Sequence, residues 1–188
     1  MTTELAVAQP ERAVLSIGAV GPSFAGLHGT DGRSYDTDTF RDRSALVLIF
    51  SSNRCPTAKA YARRMVELQD AYERRGVQLV AINSNDPHLY PDERLELMVE
   101  RAAADGYTFP YIVDAGQHLA KAYGASCTFH AFLLDRVRRL RYQGRFDDAR
   151  LEERVTSHDL RNALDEVLAG RDVQVPITRP FGCSLDLV

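Results

Sequence analysis

Tryptophan is absent from the chain, cysteine occurs only three times among 188 residues, and no apolar stretch approaches the length of a membrane span. A bilayer-spanning helix needs roughly 20 apolar residues, so the sequence predicts no membrane association. The first residues lack the basic-then-apolar pattern of a signal peptide, and we therefore expect a cytoplasmic protein. The net charge of −3 and the lack of a dense Lys/Arg run argue against nucleic acid as a partner.

The three cysteines, Cys55, Cys127 and Cys183, are an odd number and lie far apart in the sequence. This pattern does not fit a framework of structural disulfides. Each cysteine is either a small buried hydrophobic residue, as free cysteines usually are, or a reactive thiol. The sequence also lacks a glycine-rich phosphate loop and a Ser-His-Asp signature, so we expect no bound nucleotide and no other cofactor.

Apolar runs alternate with amphipathic segments along the chain. Residues 45–50 and 77–82 are unbroken apolar runs, which predict strands buried on both faces. Between them, apolar residues recur at three- and four-residue steps, which predicts a helix that begins at Pro56. A second helix is predicted to open at Pro91, to carry Glu93 in its first turn, and to bury Leu95, Met98, Val99 and Ala102.

The predicted fold class is α/β. Buried strands that alternate with helices imply a parallel core sheet, and residues 131–134 and 138–143 predict an antiparallel hairpin that makes this sheet mixed. A small N-terminal hairpin precedes the sheet. A capping box of Thr156 and Asp159 predicts the last helix, and an extended C-terminal tail follows it. We expect residues 1–12 to form a flexible lead and residues 13–188 to form one domain.

The turn between the first buried strand and the first helix is the most informative place for chemistry. Cys55 lies immediately before the helix, where free backbone N–H groups and the helix dipole stabilise a thiolate. Arg54 supplies a nearby cation, and the hydroxyl of Ser52 could donate a hydrogen bond. We therefore predict that these three residues are catalytic, with Cys55 as the nucleophile. The alternative is that Cys55 is only a neighbour of the helix cap.

Several segments together resemble the peroxiredoxin-like branch of the thioredoxin superfamily, which is grouped with alkyl hydroperoxide reductase and thiol-specific antioxidant proteins. They are residues 52–61, 80–87, 122–128, 144–148 and 182–184. The resemblance extends from about Leu15 to the C-terminus and implies a thioredoxin-like fold. It also implies that the loop with Cys127 and Thr128 approaches Cys55.

Two departures from the typical family pattern bear on the chemistry. Ser52 and Arg54 replace the first cysteine and the histidine of the typical Cys-Asn-His-Cys-Pro turn. Phe129 and His130 replace a Pro-Asp pair whose proline is cis. A cis bond before a non-proline residue costs roughly 2.5–4 kcal/mol, so we expect a trans bond before Phe129.

The resemblance implies a substrate pocket formed by Thr128, Phe129 and His130. We expect Phe129 to face Cys55, His130 to lie nearer the rim, and the groove to favour a small molecule over an extended peptide. His130 could instead tune the thiolate or ligate a metal. One cysteine and one histidine fall short of the usual three or four ligands, and we predict no metal site.

The implied function is that of a thiol-dependent oxidoreductase that reduces a peroxide or a small disulfide through Cys55. Cys127, Cys183 or an external thiol would resolve the oxidised cysteine, although each of these two cysteines has an inert role as its alternative. The expected partners are a small peroxide, disulfide or thiol, a reductant protein and, as an open option, a second copy in a homodimer. Because of the two departures, a binding or regulatory module and a recruited non-redox enzyme remain alternatives.

Overall fold

A computed structural model of the chain describes residues 15–187, and the expected flexible lead, residues 1–12, lies outside the described residues. The strands and α-helices of the described part follow the predicted order. They are β1 (Leu27–His28), β2 (Ser34–Tyr35), β3 (Ala45–Ser51), α1 (Pro56–Tyr72), β4 (Val77–Asn83), α2 (Leu95–Ala104), β5 (Tyr111–Val113), α3 (His118–Tyr123), β6 (His130–Leu134), β7 (Leu140–Gly144) and α4 (Asp159–Leu168).

A five-stranded mixed sheet forms the centre of the molecule, with the strand order β5-β4-β3-β6-β7. β3, β4 and β5 are parallel, β6 runs antiparallel to its neighbour β3, and β7 runs antiparallel to β6. β1 and β2 form the small N-terminal hairpin. The expected α/β fold, with a mixed sheet flanked by helices, is therefore confirmed. The carboxyl ends of β3 and β4 share one edge of the sheet, where ligands collect in such folds.

Each face of the sheet carries its own hydrophobic core, because side chains of a strand alternate between faces. Ala45, Val47 and Ile49 of β3 point into the core beneath α1 and α4. The residues between them point into the opposite core, beneath α3. Every residue of β3 is buried, as the unbroken apolar run predicts.

The region around Pro91 differs from the prediction. Pro91–Glu93 form a separate 3₁₀ turn, Arg94 is extended, and α2 begins only at Leu95. Of the four residues predicted to be its buried face, only Met98 is buried, whereas Leu95 and Val99 are 38% and 42% exposed. The helix is interrupted because the Glu93 side chain turns inward to bind the loop before α1.

The capping box predicted for the last helix is also absent. The N-cap of α4 is His158, and the Thr156 hydroxyl donates to the Asp148 carboxylate instead. Leu160 and Leu164 of this helix are buried. None of the helices in residues 15–187 is both long enough and apolar enough to cross a bilayer.

Candidate functional site

Cys55 is the N-cap residue of α1, directly after the loop that leaves β3. Its backbone is extended, with φ −67° and ψ 120°, and Pro56 occupies the first helical position. These local features place the thiol at the positive end of a 17-residue helix, as the sequence predicts. The residue is only 1% exposed, so the candidate nucleophile is covered by other parts of the chain.

The loop before Cys55 is held by one buried carboxylate, that of Glu93, which is 2% exposed. Ser52 donates its hydroxyl proton to Glu93 Oε1. The backbone N–H groups of Asn53 and Arg54 donate to the same carboxylate over 2.8 and 3.3 Å, and the Asn83 side chain donates over 2.9 Å. Four donors satisfy the buried charge, as burial of a carboxylate requires. No local pattern in the sequence marks Glu93 for this role.

The contacts of Ser52 and Arg54 change their expected roles. The single hydroxyl proton of Ser52 is donated to Glu93, and Ser52 Oγ accepts the N–H of Cys55 at 3.2 Å. Ser52 therefore orients the Cys55 backbone and does not donate to its sulfur. The Arg54 guanidinium lies 3.5 Å from the centre of the Tyr90 ring and forms a cation–π contact there. Ser52 therefore does not polarise the thiolate as expected, whereas the charge of Arg54 acts to lower the pKa of the neighbouring Cys183 against the larger effects that raise it.

Thr128 and Cys183 are the side chains that contact the Cys55 sulfur. The Thr128 hydroxyl lies 3.0 Å from Cys55 Sγ as a hydrogen-bond donor, and it accepts the backbone N–H of Cys183 at 2.9 Å. The Cys183 side chain packs against the core cluster that contains Cys55, and each of the two thiols shifts the pKa of the other. All three cysteines are free thiols. The C-terminal tail thus returns to the candidate nucleophile and brings a second thiol to it.

The register of the tail explains why Cys183, and not Cys127, is the partner of Cys55. Cys127 pairs with Ser184 in an antiparallel bridge, which places Thr128 opposite Cys183. The Thr128 N–H donates to the Cys183 carbonyl at 2.8 Å. Opposite residues of an antiparallel pair project to the same side, and their neighbours project to the other. Thr128 and Cys183 therefore share the side of Cys55, while Cys127 faces away and contacts Ser126.

The three thiols have different acidities. Burial acts to raise the pKa of Cys55, but hydrogen bonds from the Cys183 side chain, Thr128 and the backbone of Ala58 outweigh it, and the pKa is lowered. Burial, followed by the hydrogen bond and charge of Cys55, raises the pKa of Cys183 to about 11. Burial is also the main cause that raises the pKa of Cys127. Cys55 is therefore the thiol that ionises first.

Phe129 lies on the same side of the sheet as Cys55, as predicted, and the peptide bond before it is trans. Its backbone has a positive φ of 68°, and its N–H donates to the Phe50 carbonyl at 2.5 Å. The ring is 2% exposed and packs 4.2 Å from the Tyr61 ring. The expectation that this ring lines a substrate pocket is therefore wrong, because the ring is part of the core beneath α1.

His130 does not lie near the rim. It is buried on the opposite face of the sheet, with its ring 4.3 Å from that of Phe132 and its Nδ1 3.3 Å from the Ser126 N–H. Burial lowers the pKa of His130 to about 4, so the ring is neutral at physiological pH. The expected position of His130 near the rim is therefore wrong, because its ring packs against Phe132 on the opposite face of the sheet. In the described part of the chain no three His, Cys, Asp or Glu residues are grouped as a metal site would require.

Both the sequence and the fold of the chain resemble those of known proteins. The family model described as Redoxin matches residues 17–164. A curated relative, the thiol-disulfide oxidoreductase ResA of Geobacillus thermodenitrificans (strain NG80-2), is 28% identical over 126 residues, which are 67% of this chain and 67% of that protein.

Two solved structures resemble the chain over nearly its whole length. A hypothetical protein from Sinorhizobium meliloti 1021 has a TM-score of 0.86 and 41% identity, over 93% of this chain and 96% of that one. An uncharacterized conserved protein from Geobacillus kaustophilus has a TM-score of 0.85 and 37% identity, over 92% of this chain and 93% of that one. The peroxidoxin BcpB of Mycobacterium tuberculosis shares the fold, with a TM-score of 0.58 and 17% identity over 82% of this chain and 95% of that one.

Proposed function

The chain belongs to the redoxin family, and from that premise we propose that it is a thiol-dependent oxidoreductase with Cys55 as its attacking thiolate and Cys183 as its resolving thiol. One observation carries this proposal: two free thiols of unequal acidity are held together by Thr128. A binding module has no need of such an arrangement. The substrate is a hydroperoxide or a small disulfide.

The peroxide reaction proceeds in two steps within the protein. The Cys55 thiolate attacks the terminal oxygen of the hydroperoxide; the O–O bond breaks, the leaving alkoxide takes a proton, and Cys55 becomes a sulfenic acid. The Cys183 sulfur then attacks the Cys55 sulfur. The S–O bond breaks, hydroxide leaves and is protonated to water, and a Cys55–Cys183 disulfide forms.

A small disulfide would follow the same path through a mixed disulfide. Cys55 attacks one sulfur of the substrate and releases the other as a thiolate, and Cys183 then displaces the bound half as a second thiol. In both cases an external thiol or dithiol reductant returns the protein disulfide to two thiols. Attack by that reductant on the Cys183 sulfur releases Cys55, whose lowered pKa makes it the better leaving group.

Stoichiometric oxidation tests the assignment. After one equivalent of hydrogen peroxide, peptide mass spectrometry should find a Cys55–Cys183 disulfide, and turnover with dithiothreitol should consume further peroxide. Cys55→Ser should abolish consumption, whereas Cys127→Ser should react like the unmodified protein. Peroxide consumption that is undiminished in Cys55→Ser would overturn the proposed function, and so would a disulfide that instead joins Cys55 to Cys127.

A further inference from the structure

Residues 176–187, which we term the C-terminal strap, lie outside the segment matched by the family model. The strap begins beside β7, where the Gln143 N–H donates to the Pro176 carbonyl at 2.9 Å and the Thr178 N–H donates to the Gln143 carbonyl at 3.1 Å. These hydrogen bonds pair the strap with β7, which is an edge strand of the sheet. The strap then crosses the candidate active site.

The far end of the strap is anchored on the other side of the active-site loop. Leu185 is buried in the core beneath α3. The Gln117 side chain donates to the Asp186 carbonyl at 2.8 Å, and the Tyr90 hydroxyl donates to the Asp186 carboxylate. Because both ends are attached, the middle of the strap is held against Cys55.

The middle of the strap covers the candidate nucleophile. Phe181 and Cys183 pack against the core cluster that contains Cys55, and the Phe181 ring lies 6.3 Å from that of Tyr61. The Thr128 N–H and hydroxyl are both bonded to Cys183, so they are not free to pair with another extended segment. A peptide that approached Cys55 along this edge would have to displace the strap.

Gly182 allows the strap to lie this close. A Cβ atom added at this position would lie 1.9 Å from the carbonyl oxygen of Thr128, which is backbone and cannot rotate away. Any other residue would therefore push the strap off Thr128. Gly182 supplies no side chain to the chemistry, but it lies beside Cys183, so a substitution here undocks the strap and moves Cys183 away from Thr128, while Cys55 keeps its place at the N-cap of α1.

We propose that the docked strap restricts Cys55 to small substrates, and that Gly182 is the residue that determines this specificity. A hydroperoxide or a short disulfide reaches the sulfur with the strap in place. A disulfide in a protein substrate is excluded unless the strap opens. The rate at which Cys55 reacts with such a disulfide is therefore proportional to the small fraction of molecules in which the strap is open. This inference rests on the proposed function only in that both require a reactive Cys55.

The test compares a small reagent with a large one at the same thiol. Iodoacetamide and a polyethylene glycol maleimide of about 5,000 Da are each reacted with the full chain. Mass spectrometry measures the rate at which the unlabelled peptide that contains Cys55 disappears. In Gly182→Ala the ratio of the large-reagent rate to the iodoacetamide rate should rise roughly tenfold or more, since strap hydrogen bonds are lost. The ratio is the readout because a change in the Cys55 pKa affects both reagents alike. Insulin reduction should rise in parallel.

Two further variants complete the design. Ser184→Ala is the matched control, because Ser184 is an exposed neighbour in the strap, and it should behave like the unmodified protein. Leu185→Ala releases the strap at a different anchor and should reproduce the Gly182→Ala result, which keeps the test decisive if Gly182→Ala folds poorly.

The outcomes separate the two proposals. Equal rates with the large reagent in the unmodified protein and in both release variants overturn the strap proposal and leave the proposed function standing. A gain in large-reagent labelling of Cys55, with no peroxide or disulfide reduced by any of the proteins, supports the strap proposal and overturns the proposed function.

Discussion

The hydroxyl of Ser52 donates to the buried carboxylate of Glu93, which lies 41 positions further along the chain, and accepts the N–H of Cys55 at 3.2 Å. One hydroxyl thus connects a buried charge to the backbone of the candidate nucleophile. A substitution of Ser52 or Glu93 should therefore change the stability of the loop before α1 more than it changes the reactivity of the Cys55 thiol.

Glu93→Gln should lower the free energy of unfolding by about 1–3 kcal/mol, because an amide cannot accept hydrogen bonds from all four donors that surround the carboxylate. Urea unfolding measures the change. Asp92→Asn is the matched control: Asp92 is exposed, and its backbone carbonyl, which the substitution keeps, is what bonds Asn53. Equal destabilisation by the two substitutions would contradict the role of Glu93.

In the Gly182→Ala background, where the strap is released, Ser52→Cys should raise the reduction of insulin disulfides further, because it recreates two thiols separated by two residues at the active turn. It should also cost about 1–3 kcal/mol of stability, since the thiol is a weak donor to Glu93. Insulin turbidity and thermal unfolding report the two effects. Insulin reduction by the unmodified protein at the rate of a thioredoxin would show that the active turn is wrongly assigned.

Alkylation as a function of pH should distinguish the three thiols. The lowered pKa of Cys55 provides thiolate at a pH where Cys183, with a pKa of about 11, remains protonated, so iodoacetamide should label Cys55 first. In Cys55→Ser the Cys183 pKa should fall, because the hydrogen bond and charge of Cys55 no longer raise it. Early labelling of Cys183 with Cys55 untouched contradicts the prediction.

Thr128→Val keeps the branched shape and removes the hydroxyl that bonds both Cys55 and Cys183. The Cys55 pKa should rise, and formation of the Cys55–Cys183 disulfide should slow by roughly tenfold, because the loss of one hydrogen bond to a charged group exceeds 1.4 kcal/mol. Thr128→Ser should restore both properties. A purely structural role would change the rate without shifting the pH profile, and serine would then not restore it.

Cys183→Ser should make Cys55 sensitive to overoxidation. With Cys183 beside it, a sulfenic acid at Cys55 is converted to a disulfide before a second peroxide arrives, whereas without it the sulfinic acid accumulates. At excess peroxide we expect roughly tenfold more sulfinic acid at Cys55 in the variant, measured by intact mass. Cys127→Ser serves as the control and should not differ from the unmodified protein.

The sequence by itself determined the order of the elements and the position of the candidate nucleophile. The apolar run of β3, the stripe of α1 and Pro56 are local patterns, and they place Cys55 at a helix N-terminus without any long-range contact. The alternation of side chains along a strand favoured Phe129 over His130 as the residue on the side of Cys55. Phe129 does lie on that side, whereas the rim position predicted for His130 is wrong.

Only the tertiary structure decided which groups meet Cys55. Glu93 lies 41 positions from Ser52, Thr128 lies 73 positions from Cys55, and Cys183 belongs to the C-terminal tail. No periodic pattern in the sequence predicts contacts between residues so far apart. Packing and hydrogen-bond satisfaction selected them: a buried carboxylate needed donors, and the register of the strap turned Cys183 toward Cys55 and Cys127 away. Local patterns encode elements, whereas a register between distant segments is set when they pack.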